Sequence, residues 1–386
     1  MRAIKSTVVA VSLVLTTLIS HQMVSAAPTD VFPKGPYKAT LIAEQILYPS
    51  LLGVTAGSVA DVSGVLLADG KLRAYVFAQN KGIEVWDSSD GKTFTRAGNA
   101  FGGDSNGYGM PRVIKLTDGR YRMYNLSPSG IACSISSDGI NFTVENVACI
   151  GRTAFGITGN MTAPGIVKLA SGGYRAYFST VSPAGTGPFP QKSYSATSPD
   201  GTTWTPDAGI RIGTGSSIDQ SAEHPTAINH SDGSVTMFYF DNGAVAGGGP
   251  TKQSLGLYYA SSTDGLTFSN PTQIDLSSLS PRFVKSTGND PDIFLDKNGD
   301  MILWAGDFNS SVGGYIFAAK LTQAPAGGSS TTATTATTTA TTATTTATTT
   351  ATTASKAKST ITCVKGKTVK KVTGTKPKCP AGYKKK

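Results

Sequence analysis

Carboxyl groups stand at the start of three short apolar segments of this chain, and they are the residues best suited to chemistry. Asp61 lies in VADVSGV, Glu223 in AEHPTAI and Asp290 in GNDPDIF. Two carboxyl groups can divide proton transfer, because one donates a proton to a leaving group while the other activates water or attacks directly. Glu223, Asp290 and Asp61 are therefore our candidate catalytic residues.

Other polar residues near these segments are candidates for binding a ligand: His224, Arg112, Asp292 and Asp104. His224 can hold a water molecule or the carboxylate, and a packing role is the equal alternative. Asp104, Asp219 and Asp292 lie close enough in sequence to replace one of the catalytic carboxyl groups. The chain has no G-x-S-x-G, phosphate-binding loop or HExxH motif, and its cysteines do not have metal-ligand spacing. We predict no metal and no cofactor.

The elements that position these residues are strands. Between residues 37 and 322 apolar residues alternate with a period of two, and turn signals are frequent, which predicts an all-β chain. A strand–turn–strand phrase recurs five times, and a further strand follows each copy. The copies are VLLADGKLRAYVF, VIKLTDGRYRMYN, IVKLASGGYRAYF, AINHSDGSVTMFY and IFLDKNGDMILWA.

A second motif, S-x-D-G-x-x-F/W, follows the first four phrases and begins at Ser88, Ser136, Ser198 and Ser262. Asp-Gly suits a tight hairpin, because Gly adopts positive φ without cost and Asp can bond nearby backbone amides. We expect the aromatic residue at its end to pack between neighbouring sheets. A direct role of these turns in ligand binding is the less favoured reading.

Repeated units of four strands are typical of a β-propeller, and five inner hairpins predict five blades. The fifth S-x-D-G hairpin is missing because the repeat region ends at GGYIFAAKLT. The N-terminal strand Ala39–Tyr48 is predicted to supply the missing strand of the last blade. This closes the ring and leaves no open sheet edge. Each innermost strand then begins at the mouth of a central funnel.

Two known groups are similar to this sequence. The S-x-D-G turns resemble the Asp box of sialidases, in which one residue usually separates Asp from Gly. The five repeats and the E-H-P and D-P strand starts resemble the five-bladed glycosidases: arabinanases, β-xylosidases and β-fructosidases. That family uses an Asp base or nucleophile, a second Asp that orients the substrate, and a Glu acid. Glu223 resembles the acid, Asp290 resembles the D-P residue, and Asp61 is the remaining Asp by position.

The resemblance implies an exported glycoside hydrolase-like propeller that acts on a poly- or oligosaccharide in the funnel. The chain departs from the family pattern, because blades 2 and 3 carry Met110 and Ala163 where the family has acids. In the alignment of strand starts, Asp61 stands one position out of line. A non-catalytic carbohydrate-binding or cell-surface propeller is the alternative, and a sialidase-like enzyme is a third reading.

Structural roles compete with these assignments. The three acids can instead cap turns, bond backbone amides or pair with a neighbouring Arg. Three aligned arginines, Arg73, Arg122 and Arg175, can in principle grip a sugar carboxylate as the arginines of sialidases do. Their place in the second strand of each blade instead predicts packing and ion pairs between blades. Arg112, at a strand start, is the better candidate for a ligand contact.

The two ends of the chain differ from its centre. Residues 1–26 have the pattern of a secretory signal peptide, and no later stretch approaches a membrane span. Residues 27–326 form the predicted propeller, residues 327–354 a Thr/Ala-rich disordered linker, and residues 355–386 a basic tail. The tail contributes eleven lysines and no acid to a formal net charge of +10, so the centre is slightly acidic.

Four cysteines in an exported chain suggest two disulfides, Cys133–Cys149 across one hairpin and Cys363–Cys379 in the tail. Nucleic-acid binding is not expected, because the basic residues lie in the tail without interleaved aromatic residues. The predicted partner is carbohydrate. The tail is predicted either to hold a secreted, monomeric protein on an anionic cell wall or to be a solvated end.

Overall fold

The computed structural model describes two units of the chain, within residues 1–328 and 329–386. In the first unit it describes residues 32–54, 58–103, 109–157, 159–180, 191–243, 255–309 and 313–324. In the second unit it describes residues 359–365, 368–374, 378–380 and 382–385. The predicted signal peptide, the predicted linker and Asp104 lie outside the described residues.

Five antiparallel four-stranded sheets, the blades, make up the first unit and confirm the predicted five-bladed β-propeller. Blade 1 contains β2 (Val59–Leu66), β3 (Leu72–Ala78), β4 (Gly82–Ser88) and β5 (Thr95–Asn99). Blade 2 contains β6 (Gly109–Lys115), β7 (Tyr121–Ser127), β8 (Gly130–Ser136) and β9 (Thr143–Gly151). Blade 3 contains β10 (Gly165–Lys168), β11 (Tyr174–Ser179), β12 (Ser193–Ser198) and β13 (Thr205–Pro206). Blade 4 contains β14 (Glu223–Asn229), β15 (Val235–Asp241), β16 (Gly256–Ser262) and β17 (Ser269–Gln273).

Blade 5 closes the ring with strands from both ends of the repeat region. From the channel outwards it contains β18 (Asn289–Leu295), β19 (Met301–Asn309), β20 (Gly313–Gln323) and the N-terminal β1 (Tyr37–Leu47). The predicted closing strand is confirmed. Two short helical segments, the α-helix Pro49–Leu52 and the 3₁₀ turn Arg152–Phe155, interrupt the strands. None of the described helices is long and apolar enough to cross a membrane.

The S-x-D-G turns hold neighbouring blades together through their backbone carbonyls. Arg73 Nη1 of blade 1 donates to the Asp138 carbonyl in the turn of blade 2 at 2.8 Å. Tyr75 Oη donates to the next carbonyl, that of Gly139, at 2.7 Å. Arg122 and Tyr124 bond Asp200 and Gly201 in the same way, as do Arg175 and Tyr177 with Asp264 and Gly265. The arginines thus have the predicted interblade role.

The aromatic residue that ends each turn also packs against the preceding blade, as predicted. The four edge-to-face pairs have ring centroids 5.5 to 5.9 Å apart: Phe94–Trp304, Phe142–Tyr75, Trp204–Tyr124 and Phe268–Tyr177. Such pairs add about 0.5–1.5 kcal/mol to the burial of the rings. Within the turn, Asp90 Oδ1 accepts from the amides of Lys92 and Thr93 at 2.8 Å. These backbone bonds lower the pKa of Asp90 to about 2.

Blade 4 differs from the first three blades because blade 5 has no S-x-D-G turn. Thr236 and Phe238 occupy the strand positions that Arg and Tyr occupy in the first three blades. Phe238 packs against Tyr37 of β1, with ring centroids 5.3 Å apart, and Thr236 Oγ1 lies 2.7 Å from His230 Nε2. The closing strand therefore fills the place of the missing turn, and the partner side chains change with it.

The predicted disulfide between Cys133 and Cys149 is present and joins β8 to β9 of blade 2. In the second unit, β21 (Ser359–Lys365), β22 (Thr368–Gly374) and β23 (Lys384–Lys385) form a small sheet. Cys379 of this unit is also disulfide-bonded. The side chain of Cys363, its predicted partner, lies outside the described residues.

Candidate active site

The innermost strands of all five blades line one central channel, and their first residues gather at one end of it. In blades 1, 2, 4 and 5, the pairing of the first strand with the second is interrupted by the same irregularity. One residue in each interruption has positive φ, between 44° and 56°: Asp61, Met110, His224 and Asp290. This conformation is uncommon for residues other than Gly and often marks functional sites.

This shared conformation corrects the alignment of the strand starts. Asp61 stands in register with Asp290, not one position out of line. In blade 4 the equivalent residue is His224, and Glu223 precedes it by one position. The sequence pointed to Glu223 because the E-H-P motif resembles an acid motif, but His224 occupies the position next to the axis that Asp fills in blades 1 and 5.

His224 lies between the two aspartates, so that three adjacent blades meet at one imidazole. Its Nε2 is 3.3 Å from Asp61 Oδ1, and its Nδ1 contacts Asp290 Oδ1. Asp61 is 8% exposed, and His224 and Asp290 are each 5% exposed. Because the three side chains are buried, these charges are compensated mainly by one another.

Burial alone would lower the pKa of His224, but the charges of Asp290, Asp61 and Glu223 raise it to about 9. Burial and the charge of Asp290 raise the pKa of Asp61 to about 7. Burial would also raise the pKa of Asp290, but the His224 charge outweighs it and lowers that pKa. The three shifts favour a protonated His224 beside an ionised Asp290, and they make Asp61 the aspartate that holds a proton more readily.

Glu223 is half-buried beside this trio. Burial raises its pKa, although the positive charge of His224 acts in the opposite direction. The side-chain amides of Gln191 and Asn242 both interact with the Glu223 carboxyl and act to lower its pKa. A carboxyl group with a raised pKa beside an ionised one provides the proton donor and acceptor that acid–base chemistry needs.

Arg112 and Asp292 lie one layer further along the channel, and both are buried. Arg112 Nη2 donates to the Pro291 carbonyl at 2.7 Å, and Nη1 donates to the Val62 carbonyl. Asp292 Oδ2 accepts from the Gly64 amide at 2.7 Å. Their described bonds tie blades 1, 2, 4 and 5 together, so ligand contacts by Arg112 and Asp292 stay a prediction.

The two remaining candidates do not join the cluster among the described residues. Asp219 is exposed and accepts a hydrogen bond from Thr214 at 2.9 Å within its own loop. Asp104 lies outside the described residues. Asp241, which the sequence gave no reason to select, is buried at the end of β15 close to Glu223. Only its place at the end of a second strand, beside the funnel, could have indicated it.

The trio is also the group of described side chains best placed to hold a metal ion. One potential ligand atom of each of Asp61, His224 and Asp290 lies within 4.8 Å of the others. Both ring nitrogens of His224 face a carboxylate, however, and the charges of Asp290 and Asp61 raise the pKa of the imidazole to about 9. The arrangement fits an ion-paired network better than a metal site. The absence of a cofactor stays a prediction.

Arg112 and Asp292 form what we call the Arg112 layer. A cavity of about 770 Å³ occupies the channel on the side of this layer away from Asp61, His224 and Asp290. Arg112 and Asp292 contribute to its wall, but Asp61, His224, Asp290 and Glu223 do not. The Arg112 layer therefore separates the acid cluster from this cavity.

No family model matches the chain, and no curated protein matches it in sequence. Solved structures do match its fold. A thermostable family-43 glycoside hydrolase superposes with a TM-score of 0.52 at 14% identity, covering 69% of this chain and 89% of that one. The fold is that of the five-bladed glycosidases. An endo-arabinase from Bacteroides thetaiotaomicron superposes with a TM-score of 0.50 at 16% identity, covering 71% and 96%. At these identities the likeness concerns the fold alone.

Proposed function

We propose that the protein is a glycoside hydrolase that cleaves a poly- or oligosaccharide at the acid cluster of the funnel. One observation carries this proposal: three carboxyl groups from blades 4, 5 and 1 meet around His224, and their pKa values shift in different directions. Glycoside hydrolysis needs one carboxylic acid and one carboxylate at the scissile bond. The shared fold with family-43 enzymes supports the same reading.

Glu223 is the general acid, because its raised pKa keeps a proton available for the leaving oxygen. Asp290 is the base or nucleophile, because the charge of His224 keeps it ionised. Asp61 orients the substrate. Its carboxyl oxygen lies within 4.8 Å of that of Asp290, too close for the water-separated pair of an inverting enzyme, which needs about 6.5–9.5 Å. Asp61 and Asp290 are thus not an acid–base pair of that kind.

The test is sugar release by the full exported chain from arabinans, xylans, fructans and sialosides. The Glu223→Gln variant keeps the shape of the side chain and removes its proton, so release should fall by about a hundredfold or more. Asp219→Asn is the control, because it neutralises an exposed carboxyl group in the loop before β14. Release that survives in Glu223→Gln, or is lost equally in Asp219→Asn, would contradict the assignment.

A specific observation favours a second function, carbohydrate binding without cleavage. Asp61 and Asp290 are less than a tenth exposed, and His224 already neutralises much of their charge. If no polysaccharide of the panel is cleaved and calorimetry shows that one of them binds, this alternative would be established. A sialidase-like activity is less favoured, because Arg73, Arg122 and Arg175 bond the interblade turns.

We also propose that the protein is exported and that the C-terminal unit attaches it to an anionic cell wall. Six described lysines of this unit have exposed side chains: Lys365, Lys370, Lys371, Lys378, Lys384 and Lys385. Residues 329–386 contain no Asp or Glu, so no acidic side chain of their own unit neutralises these lysines. Like charges held on one small sheet attract polyanions strongly at low salt.

Binding of the full chain to isolated anionic cell walls tests this attachment. Changing the six lysines to Gln removes about half of the tail's charge and should weaken binding strongly, and salt near 1 M should release the unchanged protein because charges are screened within a few ångströms. Salt-resistant binding, or binding that is undiminished in the Gln variant, would exclude this role of the tail. The predicted monomeric state is measured by sedimentation on the same preparation.

A further inference from the structure

Asp241 is a buried carboxyl group that the proposed chemistry does not use. It ends β15 of blade 4 and is 1% exposed. Its Oδ1 accepts from the Gly243 amide at 2.8 Å, and the carboxyl group also accepts from the Ser221 backbone. Its Oδ2 has no aligned partner among the described residues. Burial raises the pKa of Asp241 to about 6 in spite of these bonds.

The two backbone groups that Asp241 bonds stand on either side of the candidate acid. Ser221 lies two residues before Glu223, in the segment that leads into β14. Gly243 follows Asn242, whose side-chain amide bonds the Glu223 carboxyl. One carboxyl group therefore fixes the backbone that carries Glu223 and the backbone that carries Asn242, one of its two amide partners.

We propose that Asp241 is a positioning residue for Glu223, which it holds against Asn242 without contact with the substrate. A buried carboxyl group is costly unless its bonds serve the fold or the site, and those of Asp241 converge on this pair. Without Asp241 the Asn242 amide loses its fixed place, and Glu223 loses a hydrogen bond to its charged form. The loss of activity expected without Asp241 rests on the proposed function, whereas the expected displacement of Asn242 and Glu223 does not.

Carboxyl-carbon NMR of the full chain with ¹³C-labelled glutamate tests the structural consequence. The chain has four glutamates, Glu44, Glu84, Glu145 and Glu223, so four signals are expected and Glu223→Gln identifies the relevant one. At a fixed pH of about 8, Asp241→Ala and Asn242→Ala should move the Glu223 signal to the same new position. Asp241→Asn keeps an acceptor for Gly243 and should leave the signal near its original place.

The other three glutamate signals report whether each variant is folded. If Asp241→Ala moves all four, Asp241→Ser replaces it, because the hydroxyl group keeps one acceptor in a smaller side chain. A Glu223 signal that stays in place in the folded variant, or moves differently from that of Asn242→Ala, would overturn the positioning role.

Kinetics with a cleaved polysaccharide measure the second consequence. Asp241→Ala should lower kcat by about tenfold to a hundredfold with little change in KM, because the acid is misplaced while the substrate still binds. Asp241→Asn should recover most of the loss. An equal rise of KM in both variants would indicate a substrate contact and refute positioning. If the unchanged protein cleaves nothing, the proposed function fails, but the NMR comparison still decides the role of Asp241.

Discussion

Gly265 and Gly91 offer a matched pair of substitutions that isolates the contribution of one interblade contact. Both residues are the Gly of an S-x-D-G turn, with φ of 69° and 71°. A Cβ at Gly265 would lie 2.8 Å from Tyr177 Oη and 2.5 Å from Arg175 Nη1 of the preceding blade. A Cβ at Gly91 would meet only Leu72 Cδ1 at 3.4 Å, which is ordinary contact. The two sites therefore share backbone strain but differ in the interblade contact.

Placing Ala in the left-handed region costs about 1–2 kcal/mol at either position. At Gly265 the methyl group also pushes away the Tyr177 hydroxyl, which is fully buried and bonds the Gly265 carbonyl at 2.8 Å. Loss of that bond, with the carbonyl left without its partner, costs about 1–3 kcal/mol more. The free energy of unfolding should thus fall by about 1 kcal/mol in Gly91→Ala and by about 3 kcal/mol in Gly265→Ala.

Urea unfolding of the full chain with its disulfides intact measures both values. Tyr177→Phe completes a double-mutant cycle, because the excess cost of Gly265→Ala should shrink once the hydroxyl group is gone. Tyr174→Phe is the matched control, since its hydroxyl group makes no hydrogen bond among the described residues. Equal losses in Gly91→Ala and Gly265→Ala, or an excess that survives in Tyr177→Phe, would refute the view that these turns lock the blades.

Three further outcomes are expected. The folded protein should lose stability as the pH rises from 6.5 through about 9, because the pKa of His224 is raised to about 9 and its stabilising charge is lost there. Titration of Asp61 changes the stability only below about pH 7. A urea midpoint that does not fall between about pH 7.5 and 9.5, or that falls equally in His224→Gln, would therefore contradict the ion-paired network. Replacing Cys133 and Cys149 by Ser should lower the free energy of unfolding by about 3 kcal/mol, because the bridge closes a loop of 16 residues; calorimetry showing no change would argue against this pairing. Deleting residues 27–47 removes β1, leaves the edge of β20 open and should produce aggregates on size exclusion, whereas a soluble monomer would mean that closure is dispensable.

The fold could be predicted from the sequence because each blade repeats a local pattern. Period-two alternation, the five hairpins and the Asp-Gly turns are properties of short segments, and the chain displays them without long-range information. The closing strand followed from the count alone, since four outer turns and five inner hairpins leave one place unfilled. The arginine pairs followed from their shared position in second strands.

The candidate site was predicted less completely, because its geometry depends on the backbone at the axis. Asp61, Glu223 and Asp290 do come together, but their register depends on a residue with positive φ in each strand, and the sequence does not predict that conformation. His224 appeared to be an accessory to Glu223, whereas it is the group between the aspartates. Asp241 was missed because a single Asp after an aromatic strand looks like a turn residue.

The hydrogen bonds between blades have a consistent order along the chain, because the donor side chains precede the turns that accept from them. The Arg and Tyr that hold the turns of blades 2, 3 and 4 belong to the blade before each turn, so they are synthesised first, and a nascent chain can add these blades one after another to a finished neighbour. The N-terminal β1 is the exception, because its partner β20 is made last. From the first strand to the final one, an 11-residue edge stays open. Folding of this propeller is therefore most vulnerable to chain-to-chain association at its beginning, and the risk ends only when the last blade is complete.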